Sequence, residues 1–417
     1  MRRALLALLL LSCADGRGRP APIPAQATRE THDATSFLAG RLRPWPRNDS
    51  DGLLAVTDPA ASRVASYDSA LLVLVLLRTG HRETAARVLR ALSALQEADG
   101  GLPFSFTLPA PDPAHRYERA GAIAWVGYAA AEYLDAEQGG PARDVARTLG
   151  QRVAGYLLSH QVNRAGDPRD GLVRGGTGSF RYELRGEEVR EEFDPADISW
   201  ASVEHNIDAY FALRALARVI DERAYVEAAR RIGDALRTSA WSDKHGQFVS
   251  GLDPGGRDET LALDCASWGS VLLGAIGEAA RADTAFAIAD ARFASTGPGQ
   301  ARGHQPYAHG PVLSDERLMR HFARMLPATS WEALNAVWPE GTAGVAFAAL
   351  RQGRSDRART MLDALEPLRS ADGSLPTSTV AVPFLLDTRP GIAGTAWVEL
   401  VRFELDRPPG KPTLWTP

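Results

Sequence analysis

Two kinds of helical pattern alternate along the chain between residues 67 and 405. Segments of the first kind are apolar on nearly every face, which is typical of helices surrounded by protein. Segments of the second kind are amphipathic and rich in Arg, and they predict helices with one face in water. We therefore predict six inner helices, at residues 67–80, 120–134, 203–216, 261–277, 338–353 and 391–405. An outer helix follows most of them after a short turn, so the pattern predicts a series of helical hairpins.

The segments that lead into the inner helices differ in length, and several combine a DG turn with alternating apolar residues. Examples begin at Asp99, Asp170 and Asp372. They predict short β-hairpins or extended loops on one face of the fold. Residues 34–42 form an amphipathic segment that would supply the outer helix missing at the C-terminal end. The predicted fold is thus an all-α toroid of six helical hairpins.

Four inner-helix openings resemble those of a known family. They read YDSAL at Tyr67, VEHNID at Val203, LALDCASWG at Leu261 and WPEGTAG at Trp338. These motifs are similar to the inner helices of the six-hairpin glycosidase superfamily, the (α/α)6 barrels, and the likeness covers residues 31–405 approximately. The resemblance implies an (α/α)6 toroid with short β-hairpins in the loops on one face.

Polar residues are concentrated at the start of the inner helices. In a ring of this kind the inner helices are parallel, so their N-termini meet at one end of the barrel and line a common cavity. The competing interpretation is helix capping, since an acid near a helix N-terminus contributes about 0.3 to 1 kcal/mol. Capping does not account for Glu204 and Asp208, which lie four positions apart on one helix and share a side. The residues expected at the cavity are Asp68, Arg119, Glu204, His205, Asp208, Asp264 and Glu340.

Aromatic residues fall in or beside the same helix starts. Core packing is one explanation for such residues. Flat rings beside carboxyl groups also suit a pyranose ring, whose C–H face is apolar and whose hydroxyls bind acids and amides. We therefore predict a carbohydrate substrate, bound by Asp208, His205, Arg119, Tyr67, Trp125, Trp200, Trp268, Trp338 and Trp397.

Hydrolysis of a glycosidic bond needs one protonated carboxyl group and one carboxylate. Several acids in a poorly solvated cavity supply both states, because like charges there cannot all ionise. We expect Glu340 and Glu204 to act as this pair, in either order, with Asp68 and Asp264 positioning substrate or water. Enzymes of the resembled fold commonly invert the anomeric configuration, so an inverting reaction is implied.

Two other functions fit the same residues. A polysaccharide lyase or sugar epimerase would abstract a proton with His205 or a Tyr, and Arg119 would hold an acidic sugar. A surface lipoprotein that binds glycans without catalysis would use the same aromatic residues.

The N-terminus predicts export. In MRRALLALLLLSC, two arginines precede an apolar run that is too short to span a membrane. The stretch from Leu10 to Cys13 resembles a bacterial lipobox, which implies a lipid anchor on Cys13 and a place in the cell envelope. A plain signal peptide and secretion are the alternative, because Leu11 stands where a small residue is usual. We predict a signal peptide at residues 1–13, a flexible tether at 14–28 and a single barrel domain at 29–417.

Composition and charge limit the kinds of partner that this protein is expected to bind. A formal charge of -4 and a pI near 6.2, with Arg spread along the chain, argue against nucleic-acid binding. No HExxH motif, CxxC pair, EF-hand loop or phosphate-binding loop is present, so we predict no metal and no cofactor. With Cys13 lipidated, Cys265 has no disulfide partner, and the core must hold the fold. We expect a monomer.

Overall fold

The computed structural model describes residues 33–45, 51–186, 188–310, 316–382, 385–407 and 414–416. The predicted signal peptide, the lipidation at Cys13 and the tether lie outside the described residues. No helix in the described part of the chain is both long and apolar enough to cross a membrane.

Thirteen α-helices occur within the described ranges. They are α1 Ala34–Ala39, α2 Ser66–Arg78, α3 Arg82–Leu95, α4 Ala120–Ala136, α5 Pro141–His160, α6 Val203–Ile220, α7 Arg223–Ala235, α8 Leu263–Ala275, α9 Ala279–Arg292, α10 Glu316–Met325, α11 Pro339–Arg351, α12 Ser355–Asp363 and α13 Ile392–Leu405. A π-helical turn spans Leu236–Ala240, and 3₁₀ turns span Pro298–Gln300, Glu332–Leu334 and Glu366–Leu368. Each of the six predicted inner helices is confirmed, as α2, α4, α6, α8, α11 and α13.

The inner helices form a closed ring. Each contacts the next in chain order, and α13 returns to contact α2. Turns of two to four residues join α2, α4, α6, α8 and α11 to the outer helices that follow them. Such short turns make each outer helix antiparallel to its inner partner, so the inner helices all run in one direction. The fold is therefore an all-α toroid of the predicted kind, and the inner-helix N-termini gather at one end.

Helix α1 packs against α13 and supplies the outer partner expected at the C-terminal end. The predicted helix over residues 34–42 was too long, however. Gly40 follows the last helical residue, and Leu42 pairs with Ala55 in a β-sheet instead of continuing the helix.

Short antiparallel strands occupy the connections, as the DG turns predicted. They are β1 Leu42–Pro44, β2 Leu53–Asp58, β3 Arg63–Ala65, β4 Ser105–Thr107, β5 Gly176–Arg185, β6 Glu188–Ile198, β7 Ala201–Ser202, β8 Trp241–Ser242, β9 Gln247–Phe248, β10 Gly251–Asp253, β11 Gly256–Asp258, β12 Ala294–Thr296, β13 Arg302–His304, β14 Leu375–Pro376 and β15 Pro390–Gly391. The larger sheets have the orders β1-β2-β3-β4 and β11-β10-β7, and the remaining strands pair as β5-β6, β8-β9, β12-β13 and β14-β15. The longest hairpin is β5-β6, which precedes α6.

A second, smaller apolar cluster lies beside the main core, in the connections that lead into α11 and α13. Within it, the Trp331 indole N–H donates a hydrogen bond of 2.8 Å to the Tyr307 carbonyl oxygen. The sequence pattern did not predict this cluster or α10, whose Phe322 packs into it. Its buried members are Tyr307, Phe322, Trp331, Leu334, Ala336, Val382, Leu385 and Leu386.

An aromatic core fills the middle of the ring. Five of its members come from five different inner helices, and the sixth, Trp415, comes from the described C-terminal segment. Trp415 stacks on Phe211 with a ring-centroid distance of 4.5 Å, and its backbone N–H donates to Tyr128 Oη at 2.8 Å. The aromatic core comprises Trp125, Phe211, Trp268, Phe347, Trp397 and Trp415.

We expect Trp415→Ala to lower the free energy of unfolding by about 3 to 5 kcal/mol, because it leaves a cavity among five helices that hold one another in place. Urea denaturation measures this. Val226→Ala is the control, since Val226 is 39% exposed and its truncation should change stability by no more than about 0.5 kcal/mol. Equal losses in the two variants would contradict the packing role of Trp415.

Candidate active site

Four inner helices bring five carboxyl groups together at the N-terminal end of the ring. Asp68, Asp264 and Glu340 lie in the first turns of α2, α8 and α11, and Glu204 and Asp208 lie in the first two turns of α6. Charges on Asp264, Asp208 and Glu340 raise the pKa of Glu204, and charges on Asp264 and Asp68 raise the pKa of Glu340. These five residues, called the carboxyl cluster below, therefore share one region.

Burial is the main cause of the raised pKa values in the carboxyl cluster. It raises the pKa of Asp68 to about 6, that of Asp264 to about 7 and that of Glu340 to about 8. The pKa values of Glu204 and Asp208 are raised well above the ordinary range, by burial first and then by neighbouring acids. The cluster thus retains protons at neutral pH, which a solvated group of acids would not do.

Helix capping does not explain these acids. Helices α2, α8 and α11 have no side-chain capping hydrogen bond. Asp68 Oδ2 instead accepts a hydrogen bond of 2.5 Å from Thr57 Oγ1, and Glu340 Oε1 accepts one of 2.7 Å from Tyr67 Oη. Asp264 Oδ1 has no hydrogen-bond partner among the described residues. Asp68 and Glu340 thus accept hydrogen bonds from side chains of other elements, and Asp264 Oδ1 remains available to a ligand. Helix stability alone does not explain these acids.

A chain of two hydrogen bonds joins the aromatic core to the carboxyl cluster. The Trp397 indole N–H donates to Tyr67 Oη at 2.8 Å, and the Tyr67 hydroxyl donates to Glu340. Because a phenol has a single O–H, the Trp397 contact commits that hydrogen to Glu340. Hydrogen bonds donated to a carboxylate favour its ionised form, so Tyr67 opposes the effect of burial on the pKa of Glu340.

A cavity of about 300 Å³ lies over Tyr67, Asp68 and Glu340. Its wall also contains residues from β2 and from the connection before α13, which the sequence did not mark as functional. These residues follow no periodic pattern in the sequence. Strand β2 and the connection before α13 meet at one rim of the ring only when the chain has folded. These wall residues include Thr57, Asp58, Asp387 and Arg389, and Arg41, which immediately precedes β1, also lines the cavity. Arg389 is ion-paired with both Asp58 and Asp387.

Helix α6 contributes the remaining two members of the carboxyl cluster, Glu204 and Asp208. Glu204 is partly exposed, whereas the other four acids are buried. His205 and Asp208 pack so closely on Gly121 of α4 that a Cβ there would lie 2.4 Å from His205 Cδ2 and 2.9 Å from Asp208 Oδ2. Burial lowers the pKa of His205 to about 3, so this imidazole is neutral at physiological pH.

Asp208 lies deeper than the other acids. Neither of its oxygens has a hydrogen-bond partner of good geometry among the described residues. The Trp125 indole N–H nevertheless lies near enough to lower the pKa of Asp208. Asp208 therefore lies next to both the aromatic core and the carboxyl cluster. Its position between them explains its burial without direct contact with a substrate.

The structure divides the predicted aromatic residues into two groups. Tyr67 lines the cavity, Trp338 immediately precedes α11, and Trp200 lies edge-to-face with His205 at a centroid distance of 6.1 Å. Trp125, Trp268 and Trp397 belong to the aromatic core, where their rings contact one another, so they do not form the cavity wall.

Arg119 also lies away from the cavity wall. Its Nη1 donates hydrogen bonds of 2.7 Å to the carbonyl oxygens of Glu118 and Gly178, and its guanidinium stacks over Tyr117 at 4.4 Å. These contacts tie the β5-β6 hairpin to the start of α4. The binding of an acidic sugar by Arg119 therefore finds no support in its contacts.

The described residues of the site support neither a metal centre nor a reactive thiol. No group of three or more His, Cys, Asp or Glu side chains in the described ranges is arranged to hold a metal ion. Cys265 is buried beside the cluster, and burial raises the pKa of its thiol well above the ordinary range. A thiol in that state is a poor nucleophile.

No protein-family model matches the sequence, and no curated protein does. Three solved structures illustrate the similarity of the fold. They are a D-mannose isomerase (10% identity, TM-score 0.61, covering 89% of this chain and 95% of that one), a glycosidase with a Glu-to-Ala substitution in complex with glucose (12%, 0.60, 89% and 95%) and a GH76 alpha-mannanase from Bacteroides thetaiotaomicron (10%, 0.56, 89% and 93%). At these identities the likeness shows the fold alone, an all-α toroid with short hairpins.

We expect Gly121→Ala to destabilise the protein by about 1 to 3 kcal/mol, because the added methyl group overlaps His205 and Asp208. Thermal and urea denaturation measure the change. Gly274→Ala on α8 is the matched control, since a Cβ there meets no atom within 4 Å and alanine favours the helix. Equal or greater stability of Gly121→Ala would show that α4 and α6 are not in such close contact.

Proposed function

We propose that this protein is a carbohydrate-active enzyme that hydrolyses a glycosidic bond, with Glu204 as general acid and Glu340 as general base. The main support for this proposal is that two glutamates of the carboxyl cluster have different surroundings. Tyr67 donates a hydrogen bond to Glu340. Glu204 is partly exposed, but desolvation and three neighbouring acids oppose its ionisation, and no described side chain donates a comparable hydrogen bond to it.

The contacts of Glu340 and Glu204 support an order in which the two carboxyl groups lose their protons. The hydrogen bond from Tyr67 and the nearby Trp338 indole favour the ionised form of Glu340, whose pKa is about 8. No described side chain lowers the pKa of Glu204 in this way, so we infer that Glu204 keeps its proton to higher pH than Glu340 does. Glu204 then supplies the proton for the leaving oxygen, and Glu340 removes one from the attacking water.

The reaction combines two proton transfers with one substitution at the anomeric carbon. Glu204 transfers its proton to the glycosidic oxygen as that bond to the anomeric carbon breaks, and water attacks the same carbon while Glu340 accepts its proton. The reaction ends with Glu340 protonated and Glu204 ionised, and exchange with solvent restores both. Asp68, which has a pKa of about 6 and lines the same cavity, carries negative charge at neutral pH and would stabilise the positive charge that develops on the sugar ring.

The similar structures support a sugar ligand. One is a glycosidase variant in complex with glucose, and another is an alpha-mannanase. A third, a D-mannose isomerase, supports a second candidate function, sugar isomerisation or epimerisation with His205 as base. His205 is neutral, and its Nδ1 has no hydrogen-bond partner among the described residues, as a base requires, but its pKa of about 3 makes it a weak base at neutral pH. Loss of activity in His205→Ala together with full activity in Glu340→Gln would favour this second function.

Replacement of either glutamate tests the hydrolase directly. Glu204→Gln and Glu340→Gln should each lower turnover by at least about 10²-fold, the scale of general acid-base catalysis, on a substrate selected from β-glucans, α-glucans and uronic-acid polymers. Glu227→Gln, on the exposed face of α7, is the control and should keep the wild-type rate. Near wild-type rates in both site variants would exclude the assignment. Binding without any product across the panel would indicate a glycan-binding protein.

The pH dependence tests the order of ionisation. Activity should rise as Glu340 loses its proton, around pH 8, and fall at higher pH as Glu204 ionises. Tyr67→Phe removes a donor that favours the Glu340 carboxylate, so the rising limb should move to higher pH. Tyr225→Phe on α7 serves as control and should leave the profile unchanged. An unmoved rising limb in Tyr67→Phe would refute the role of Glu340 as base.

A further inference from the structure

A second cavity, of about 640 Å³, lies on the outer wall of the barrel. It is formed by the π-helical turn after α7, the β8-β9 hairpin, β11 and the start of α9. Arg257 of β11 lines this cavity, and the sheet β11-β10-β7 extends from there to the start of α6, where Glu204 lies. Two strand spacings correspond to about 10 Å. This outer cavity shares no described lining residue with the cavity over Glu340, so the two are distinct, and the sheet leads to the same end of the ring.

The outer cavity is positively charged, although the chain as a whole has a formal charge of -4. Four cationic side chains line it, against the acids Asp243 and Glu259. Asp243 accepts a hydrogen bond of 2.7 Å from the Trp241 indole N–H, and Glu259 lies 3.9 Å from His245. The cationic residues are Arg237, Lys244, Arg257 and Arg281.

Three of these cations have no acidic partner among the described residues. In the described part of the chain, no carboxylate lies within ion-pair distance of Lys244, Arg257 or Arg281, whereas Arg237 lies 3.8 Å from Glu278. The nearby charge of Lys244 adds to the effect of burial in lowering the pKa of His245. The described lining thus carries a net positive charge, with four cationic side chains against two acids.

Backbone contacts hold two of the guanidinium groups in place. Arg257 Nη2 donates to the Trp241 carbonyl oxygen at 3.0 Å. Arg281 Nη1 donates to the Arg237 carbonyl oxygen at 3.3 Å, and its guanidinium lies over the Trp241 ring at 5.1 Å. Each guanidinium has five N–H groups, so both keep donors for a ligand. Such fixed forks match the two oxygens of a carboxylate or sulfate group.

We propose that the outer cavity binds the oxyanion group of an acidic saccharide, such as a uronic-acid oligosaccharide. Unpaired cations select an oxyanion, and a cavity of this volume lies in the range that holds small-molecule ligands and not only single ions. The oxyanion site stands on its own contacts, whereas its assignment to a saccharide rests on the proposed function.

Titration calorimetry of the full chain tests the proposal with three probes at low ionic strength. Trigalacturonate is the acidic saccharide, maltotriose is its neutral counterpart and inorganic sulfate is the free anion. Trigalacturonate should bind, and the double variant Lys244→Gln, Arg257→Gln should weaken that binding by at least about tenfold, since hydrogen bonds to charged groups are lost. Added NaCl should also weaken it. The control pair Arg223→Gln, Arg359→Gln removes the same charge from exposed positions on α7 and α12 and should have no such effect.

The outcomes separate this proposal from the proposed function. Retained trigalacturonate binding in Glu340→Gln, with loss in the Lys244, Arg257 variant, supports an independent outer site even where hydrolysis is disproved. Binding of sulfate but not of trigalacturonate overturns the saccharide assignment. Equal binding of maltotriose, equal losses in the control pair, or no binding of either anion overturns the oxyanion site.

Discussion

The clustering of five carboxyl groups, four of them buried, at the ends of four parallel helices is the constraint on which the chemistry of this protein depends. Taking a carboxylate out of water is unfavourable unless a cation or several hydrogen bonds compensate, and otherwise the group keeps its proton. Around Glu204, Asp208 and Asp264 the described structure provides little compensation. The ring therefore creates acids that are protonated at neutral pH and partners that are not, from residues that would all be ionised in water.

The depth of each residue in the ring follows from its position in its helix. Glu204, Asp264 and Glu340 each lie one position after the first residue of α6, α8 and α11. Trp125, Trp268 and Trp397 lie five positions after the first residue of α4, α8 and α13, which places them about 6 Å deeper at 1.5 Å per residue. The carboxyl groups of Glu204, Asp264 and Glu340 thus form a layer above the indole rings, whereas Asp208, five positions after the first residue of α6, lies at the depth of the rings. The apolar rings reduce the solvation of the acids above them.

The same layering shows what could be predicted from the sequence. Six apolar helices and the convergence of their first-turn acids follow from local patterns, because helices joined by short turns alternate in direction. The roles of Trp125, Trp268 and Trp397 did not follow, since proximity to a helix start does not separate the mouth from the layer beneath it. Arg119 looked available, but its guanidinium is used by backbone carbonyls that only the folded β5-β6 hairpin provides. Non-local partners such as Thr57, Arg389 and Trp415 lie outside the helical pattern altogether.

Stability and chemistry are coupled through Tyr67, whose hydroxyl links Trp397 in the aromatic core to Glu340 in the carboxyl cluster. The central claim is that the folded ring keeps carboxyl groups protonated at neutral pH. Infrared difference spectroscopy of the folded protein measures this through the C=O stretch of protonated carboxyl groups. The account predicts that this band is present at pH 7 and that part of it disappears in Glu204→Gln. A spectrum at pH 7 with carboxylate bands only would contradict the account.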